Sequence, residues 1–299
     1  MKKYIKPLFR LTVTGLLIFY LFKKVEISHI LSLFSHINLI LFLFASFLYI
    51  VSIYISTLRW KIFLSDEFRI SRLFSVYLIG SFFNTVLPGI IGGDIIKVLM
   101  IRNKAGLNNA VASVFLERYT GFATLLMIGF IFFCIFYERL PQSLIIWSVP
   151  LSFSGFILVS LFLYLFRNFS FLKNFYEYFL SFSKSQIAKA FLFSVFIQFI
   201  VILSVYVICV SLDIFISFFE LCIYLPVIVL ITTLPISVSG IGVREWCFIL
   251  FFGSSVGQTN AVAISFLWFL SVILASLSGG IEYLRFKESV DMKKEKISF

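Results

Sequence analysis

Apolar stretches long enough to cross a bilayer dominate this chain. A spanning helix needs roughly 20 mostly apolar residues. Such stretches fall at residues 8–22, 38–57, 120–137, 143–166, 187–212 and 259–284. Two further apolar regions are interrupted. Residues 73–101 carry Pro88, Gly89, Gly92, Gly93 and Asp94, and residues 214–257 carry Pro235, Gly240, Gly242, Arg244 and Glu245. Hydrophobic residues make up 61% of the chain and charged residues 13%, where soluble domains run near ~45–50% and ~25%. The expected fold class is all-α: a polytopic integral membrane protein with re-entrant or broken segments. Soluble enzymes, disordered chains and nucleic-acid binders are excluded.

The net charge of +11 reflects topology, since cytoplasmic loops collect Lys and Arg. Twenty of the 25 basic residues fall in residues 1–10, 58–72, 97–104, 167–189 and the tail after Tyr283. Lys23, Lys24 and Arg139 fall on the opposite side. Both termini are therefore expected in the cytoplasm, with an even number of crossings, about eight. Residues 58–72 and 97–104 then share a side, so the chain between them enters the membrane and returns, turning near Leu87-Pro88-Gly89. After Asp213 three crossings fit, at 217–235, 243–257 and 259–284, the middle one short. Residues 1–285 read as one transmembrane domain and 286–299 as a charged cytoplasmic tail. The Lys-flanked stretch from Leu11 to Phe22 has no small-residue cleavage site and is expected to stay as a first span.

Leu87-Pro88 recurs as Leu234-Pro235, 147 residues later, each followed by glycines and then charge. Short or Gly/Pro-interrupted segments at corresponding positions of two halves point to a transporter substrate site, and suggest an inverted repeat. Cys134, Cys209, Cys222 and Cys247 sit in apolar runs without a CxxC and read as small apolar residues. His29 and His36 lie in one polar connection with no acidic or Cys cluster. No metal or cofactor is expected, and no P-loop is present. Trp60, Tyr137 and Trp147, near span ends, fit an interfacial belt.

Asp94, Glu117, Arg118, Arg244 and Glu245 lie in or beside apolar segments. Such groups cost about 2.5–3.5 kcal/mol each on insertion scales and face a bundle interior or an aqueous cavity. Gly92 and Gly93, with a helix N-terminus near Asp94, would attract an anion; Asp94 is a candidate N-cap for a helix over 95–102. Adjacent residues on a helix point about 100° apart, so Glu117 and Arg118 need separate partners. A reciprocal arrangement pairs Glu117 with Arg244, and Arg118 with Glu245 or Asp94. Arg59 and Lys97 are candidate cations at the cytoplasmic rim.

Arg59-Trp60, Phe83-Asn84 leading into LPGIIGGD, Glu117-Arg118 with Gly121, and SGIGVRE from Ser239 to Glu245 together resemble the transmembrane domain of lysylphosphatidylglycerol synthases. That domain also occurs alone in bacterial and archaeal proteins described as flippase-like. The resemblance, over roughly 5–285, implies a multi-pass protein of the bacterial or archaeal inner membrane. It also implies translocation of an anionic phospholipid or a polyprenyl-phosphate-linked sugar. On that reading Arg118, Arg244, Asn84, Gly92, Gly93, Gly240 and Gly242 form the lipid site, and Asp94, Glu117 and Glu245 hold the arginines. No segment here could form the soluble acyltransferase-like domain that transfers lysine in the full-length synthases. The alternative is a membrane partner of a separately encoded acyltransferase or glycosyltransferase.

Overall fold

The computed structural model describes residues 12, 14–15, 32–35, 37–86, 92–140, 143–234, 236–237 and 239–295. The first span and the Leu87-Pro88 turn fall almost wholly outside them, as do His29, His36 and Pro235. The described residues are helical without strands, as hydrocarbon requires: backbone groups that cannot bond to water must bond within their own segment.

The helices are α1 (Leu39–Ile62), α2 (Ile70–Val86), α3 (Gly92–Ala105), α4 (Leu107–Phe136), α5 (Ser148–Leu165), α6 (Ser170–Leu180), α7 (Lys184–Ser211), α8 (Phe218–Thr233), α9 (Val243–Val256) and α10 (Gln258–Glu295). Five of the described segments are long and apolar enough to cross a bilayer, those containing α1, α4, α5, α7 and α10. By contrast α2 and α3, of 17 and 14 residues, reach about 26 and 21 Å against a hydrocarbon core of ~30 Å.

Most boundaries match the sequence reading, with three departures. The span placed at 120–137 begins at Leu107, so Glu117 and Arg118 sit in mid-helix rather than before it. The last span continues as helix through Glu295. The basic connection 167–189 contains α6, a short, strongly amphipathic helix. Its Phe175, Tyr178 and Phe179 pack on Phe63, Leu116 and Ala190, and the Tyr178 hydroxyl donates to the Phe63 carbonyl at 2.5 Å.

The two halves repeat one plan. A long helix, a short one, a half-length one and another long one run as α1–α2–α3–α4, and again as α7–α8–α9–α10. The half-length helices α3 and α9 both have 14 residues, and they start 151 residues apart, at Gly92 and Val243. Each is joined to the following long helix through one glycine of positive φ: Gly106 at 77° and Gly257 at 87°. That conformation penalises any side chain with a Cβ. The halves run in opposite directions: the Asn38 amide, entering α1, donates to the Ser211 carbonyl, leaving α7, at 3.0 Å. Asn38 also caps α1, its side chain accepting from the Leu41 amide at 3.2 Å.

The apolar core lies around α8, where residues 221–228 are all buried, against α7, α9 and α10. Cys209, Cys222 and Cys247 are buried within it, and α5 leaves most of its surface outside the helix packing. Two crossings are backbone-tight. A Cβ on Gly93 would lie 1.9 Å from the Gly80 carbonyl oxygen of α2, and one on Gly279 would lie 2.0 Å from the Leu78 carbonyl oxygen.

Gly279→Ala should therefore force α10 off α2. Overpacking costs about 1–3 kcal/mol, read as a lower melting temperature in detergent. Gly155→Ala, with nothing within 4 Å of the added methyl, should melt like the parent; equal melting of the two variants would refute the tight crossing.

Candidate functional site

Glu117 on α4 is 1% exposed and gathers three helices. Its carboxylate is ion-paired with Arg59 of α1, accepts from Lys97 Nζ of α3 at 2.7 Å, and accepts from the Tyr77 hydroxyl of α2 at 2.8 Å. Arg59 reaches on to Ser194 of α7 at 2.8 Å. The Lys97 ammonium lies 4.2 Å from the Tyr77 ring centroid and 5.0 Å from that of Trp60, a cation–π arrangement.

This corrects three expectations. Glu117 does not pair with Arg244, because α1 and α3 flank its side of α4 while Arg244 lies against α10. Nor are Arg59 and Lys97 rim cations: both are buried. Trp60, expected at the interface, is also fully buried, its indole N–H donating to Ser113 at 3.2 Å.

Arg118 points away from its neighbour and meets Asp94 of α3. Its Nε donates to Oδ2 at 2.9 Å and its Nη2 to Oδ1 at 3.1 Å. Asp94 lies in the first turn of α3, which starts at Gly92, and so is not an N-cap for 95–102. Asn84 takes part of that duty across the hairpin, accepting from the Gly93 amide at 2.8 Å.

The second broken segment is organised differently. Glu245 holds no arginine: it accepts from the Gly242 amide of its own helix start at 2.6 Å and from Ser265 at 3.2 Å. Arg244, 8% exposed, donates to the Ser239 carbonyl at 3.3 Å and lies 4.4 Å from the Phe269 ring centroid. Among the described residues it has no carboxylate partner within salt-bridge distance.

Both broken segments border one cavity of about 290 Å³. Its charged lining is Asp94, Lys97, Arg118 and Arg244, and Asn84 joins them. The four glycines Gly92, Gly93, Gly240 and Gly242 are not part of its wall. Gly93 serves helix packing, while Gly240 and Gly242 take positive φ in the turn before α9. The sequence reading missed a ring of hydroxyls from Tyr49, Tyr77, Ser81, Thr85, Thr232 and Thr233. Tyr49 and Ser81 bond each other at 3.0 Å, and Thr85 bonds Ser276 at 3.1 Å.

Chemically, the cavity and the layer behind it place the carboxylates Asp94, Glu117 and Glu245 against the cations Arg59, Lys97, Arg118 and Arg244. The excess is positive, in surroundings where charge is weakly screened. Such a site favours an anion small enough for the cavity, with hydroxyl or amide partners on its walls.

Glu117→Gln should leave two buried cations without their counter-ion. Breaking a buried pair costs about 3–5 kcal/mol, so the variant should melt far below the parent in detergent. Glu67→Gln, at an exposed position, is the control, and a parent-like melt for Glu117→Gln would show that the network is not structural.

The chain has no significant match among curated proteins or among solved structures. The family model described as the lysylphosphatidylglycerol synthase TM region matches residues 8–279, and the chain therefore belongs to that family of membrane domains.

Proposed function

We propose that this protein moves an anionic lipid, a phospholipid or a polyprenyl-phosphate-linked sugar, between membrane leaflets, with the headgroup held in the cavity between the two broken segments. The observation that carries this reading is Arg244: a buried guanidinium bordering a polar cavity, with no carboxylate within salt-bridge distance among the described residues. A buried charge without a direct ion pair is expensive, and an anionic headgroup would supply one. Arg118, on the other flank, supplies a second fork suited to phosphate oxygens. The hydroxyl ring and Asn84 suit glycerol or sugar hydroxyls. Short broken helices at corresponding positions of inverted halves are where transporters bind substrate. On this reading both termini face the cytoplasm of a bacterial or archaeal cell, the side holding most basic residues. The family's association with a synthase supports a second arrangement, in which the domain serves a separately encoded transferase by presenting or clearing its lipid.

Two experiments test this. In liposomes scored for leaflet exchange of anionic lipids, Arg118→Lys and Arg244→Lys should express normally and lose most transport, because lysine keeps the charge but not the fork. Lys184→Ala should transport as the parent does. Normal transport by both lysine variants would reduce the arginines to charge partners. Separately, reporter fusions should place Phe299 in the cytoplasm and Arg139 outside it; an external signal at Phe299 would invert the topology.

A further inference from the structure

Asp94 occupies the Nε–Nη2 edge of Arg118, an edge that a phosphate would also take. The two parallel contacts, 2.9 and 3.1 Å, have the fork geometry that arginine also offers to phosphate. A headgroup cannot engage that fork while Asp94 holds it. Within the charge network this pair is also the part open to the cavity: the Arg118 and Asp94 side chains are 35% and 18% exposed, against 2% and 1% for Lys97 and Glu117.

The carboxylate has somewhere else to go. Lys97 Nζ lies 3.5 Å from Asp94 Oδ1. A second place is marked by the repeat. Asp94 and Glu245 are both the third residue of their half-length helices, and Glu245 is folded back onto its own helix start, accepting from the Gly242 amide. The two halves thus display two settings of one carboxylate position, one bridging to the next helix and one turned inward.

We infer that anion binding in this cavity is an exchange. The incoming phosphate displaces Asp94 from Arg118, and Asp94 turns to Lys97 and the first turn of α3, as Glu245 already does on α9. This rests on the anionic-headgroup reading above and assigns Asp94 a role as the competitor that sets affinity. No bond is made or broken beyond hydrogen bonds and ion pairs. Because Asp94 sits on α3 and Arg118 on α4, the exchange releases one of two ionic ties between these helices. The other, Lys97 to Glu117, stays.

The test is calorimetric titration of the full chain in detergent, with inorganic phosphate in one arm and a short-chain phosphatidic acid in the other. Asp94→Asn should bind both about tenfold more tightly than the parent (~1.4 kcal/mol), and Asp94→Glu should restore parent-like affinity. Removing any negative charge near an anion site raises affinity somewhat, so a second readout is needed. In the parent, phosphate should speed amide hydrogen exchange over residues 95–100. In Asp94→Asn that exchange should be fast already and insensitive to phosphate.

Unchanged or weaker binding by Asp94→Asn overturns the exchange, as does phosphate slowing α3 exchange in the parent. If neither protein binds either probe, the headgroup reading falls and the exchange with it. Tighter binding of the lipid than of the ion identifies a headgroup as the source. The reverse order identifies free phosphate and refutes the headgroup reading, with the exchange still standing on the tightened binding.

Discussion

One buried carboxylate ties together most of the helices around the cavity. Glu117, on α4, is bonded to α1 through Arg59, to α2 through Tyr77 and to α3 through Lys97, and Arg59 extends the connection to α7. In hydrocarbon, apolar side chains gain little by leaving lipid for one another, so helix association leans on close packing and polar contacts. The structure uses both. Backbones touch at Gly93 and Gly279, and the Glu117 cluster fixes the rotation of four helices about their axes. Arg118 and Asp94 are aimed into the cavity as a result: once Glu117 faces the interior of its cluster, the next residue must face elsewhere.

The repeat gives the cavity its two dissimilar walls. On the first-half side, cations and carboxylates are cross-paired between helices. On the second-half side, Glu245 is absorbed by its own helix end and Arg244 rests on aromatic rings. Corresponding positions therefore carry different electrostatics on one shared backbone plan. Glu245 accepts from an amide and a hydroxyl and makes no direct ion pair with the arginine beside it.

Much of this was legible in the sequence, for particular reasons. The positions of the five long helices followed from apolar length, and the two short helices α2 and α3 are one of the forms expected between the basic stretches 58–72 and 97–104. Asp94, Arg118 and Arg244 stood out because charged groups in apolar runs are conspicuous, Asn84 came only through the resemblance, and all four border the cavity. Their pairing was not legible. Which side chains meet depends on helix rotation and depth, and no spacing rule reports either. Arg59 and Lys97 were masked by the very rule that set the topology: each sits near a basic loop and counts toward it, yet each bends inward to Glu117. The hydroxyl ring escaped notice because serine and threonine in membrane helices commonly bond their own backbone. Thr85 does so at 2.7 Å to the Phe82 carbonyl while also facing Ser276.

Between α3 and α4, and again between α9 and α10, no loop exists to absorb displacement: one residue, Gly106 or Gly257, carries the whole change of direction. Each half-length helix is therefore a lever with a fixed pivot. A lever of 14 residues is about 21 Å long, so a 10° rotation at the pivot sweeps its far tip by roughly 3–4 Å. The tip is where Asp94 and Glu245 sit. Small torsional adjustments at two glycines, one closing the short helix of each inverted half, would thereby displace a carboxylate by its own contact distance.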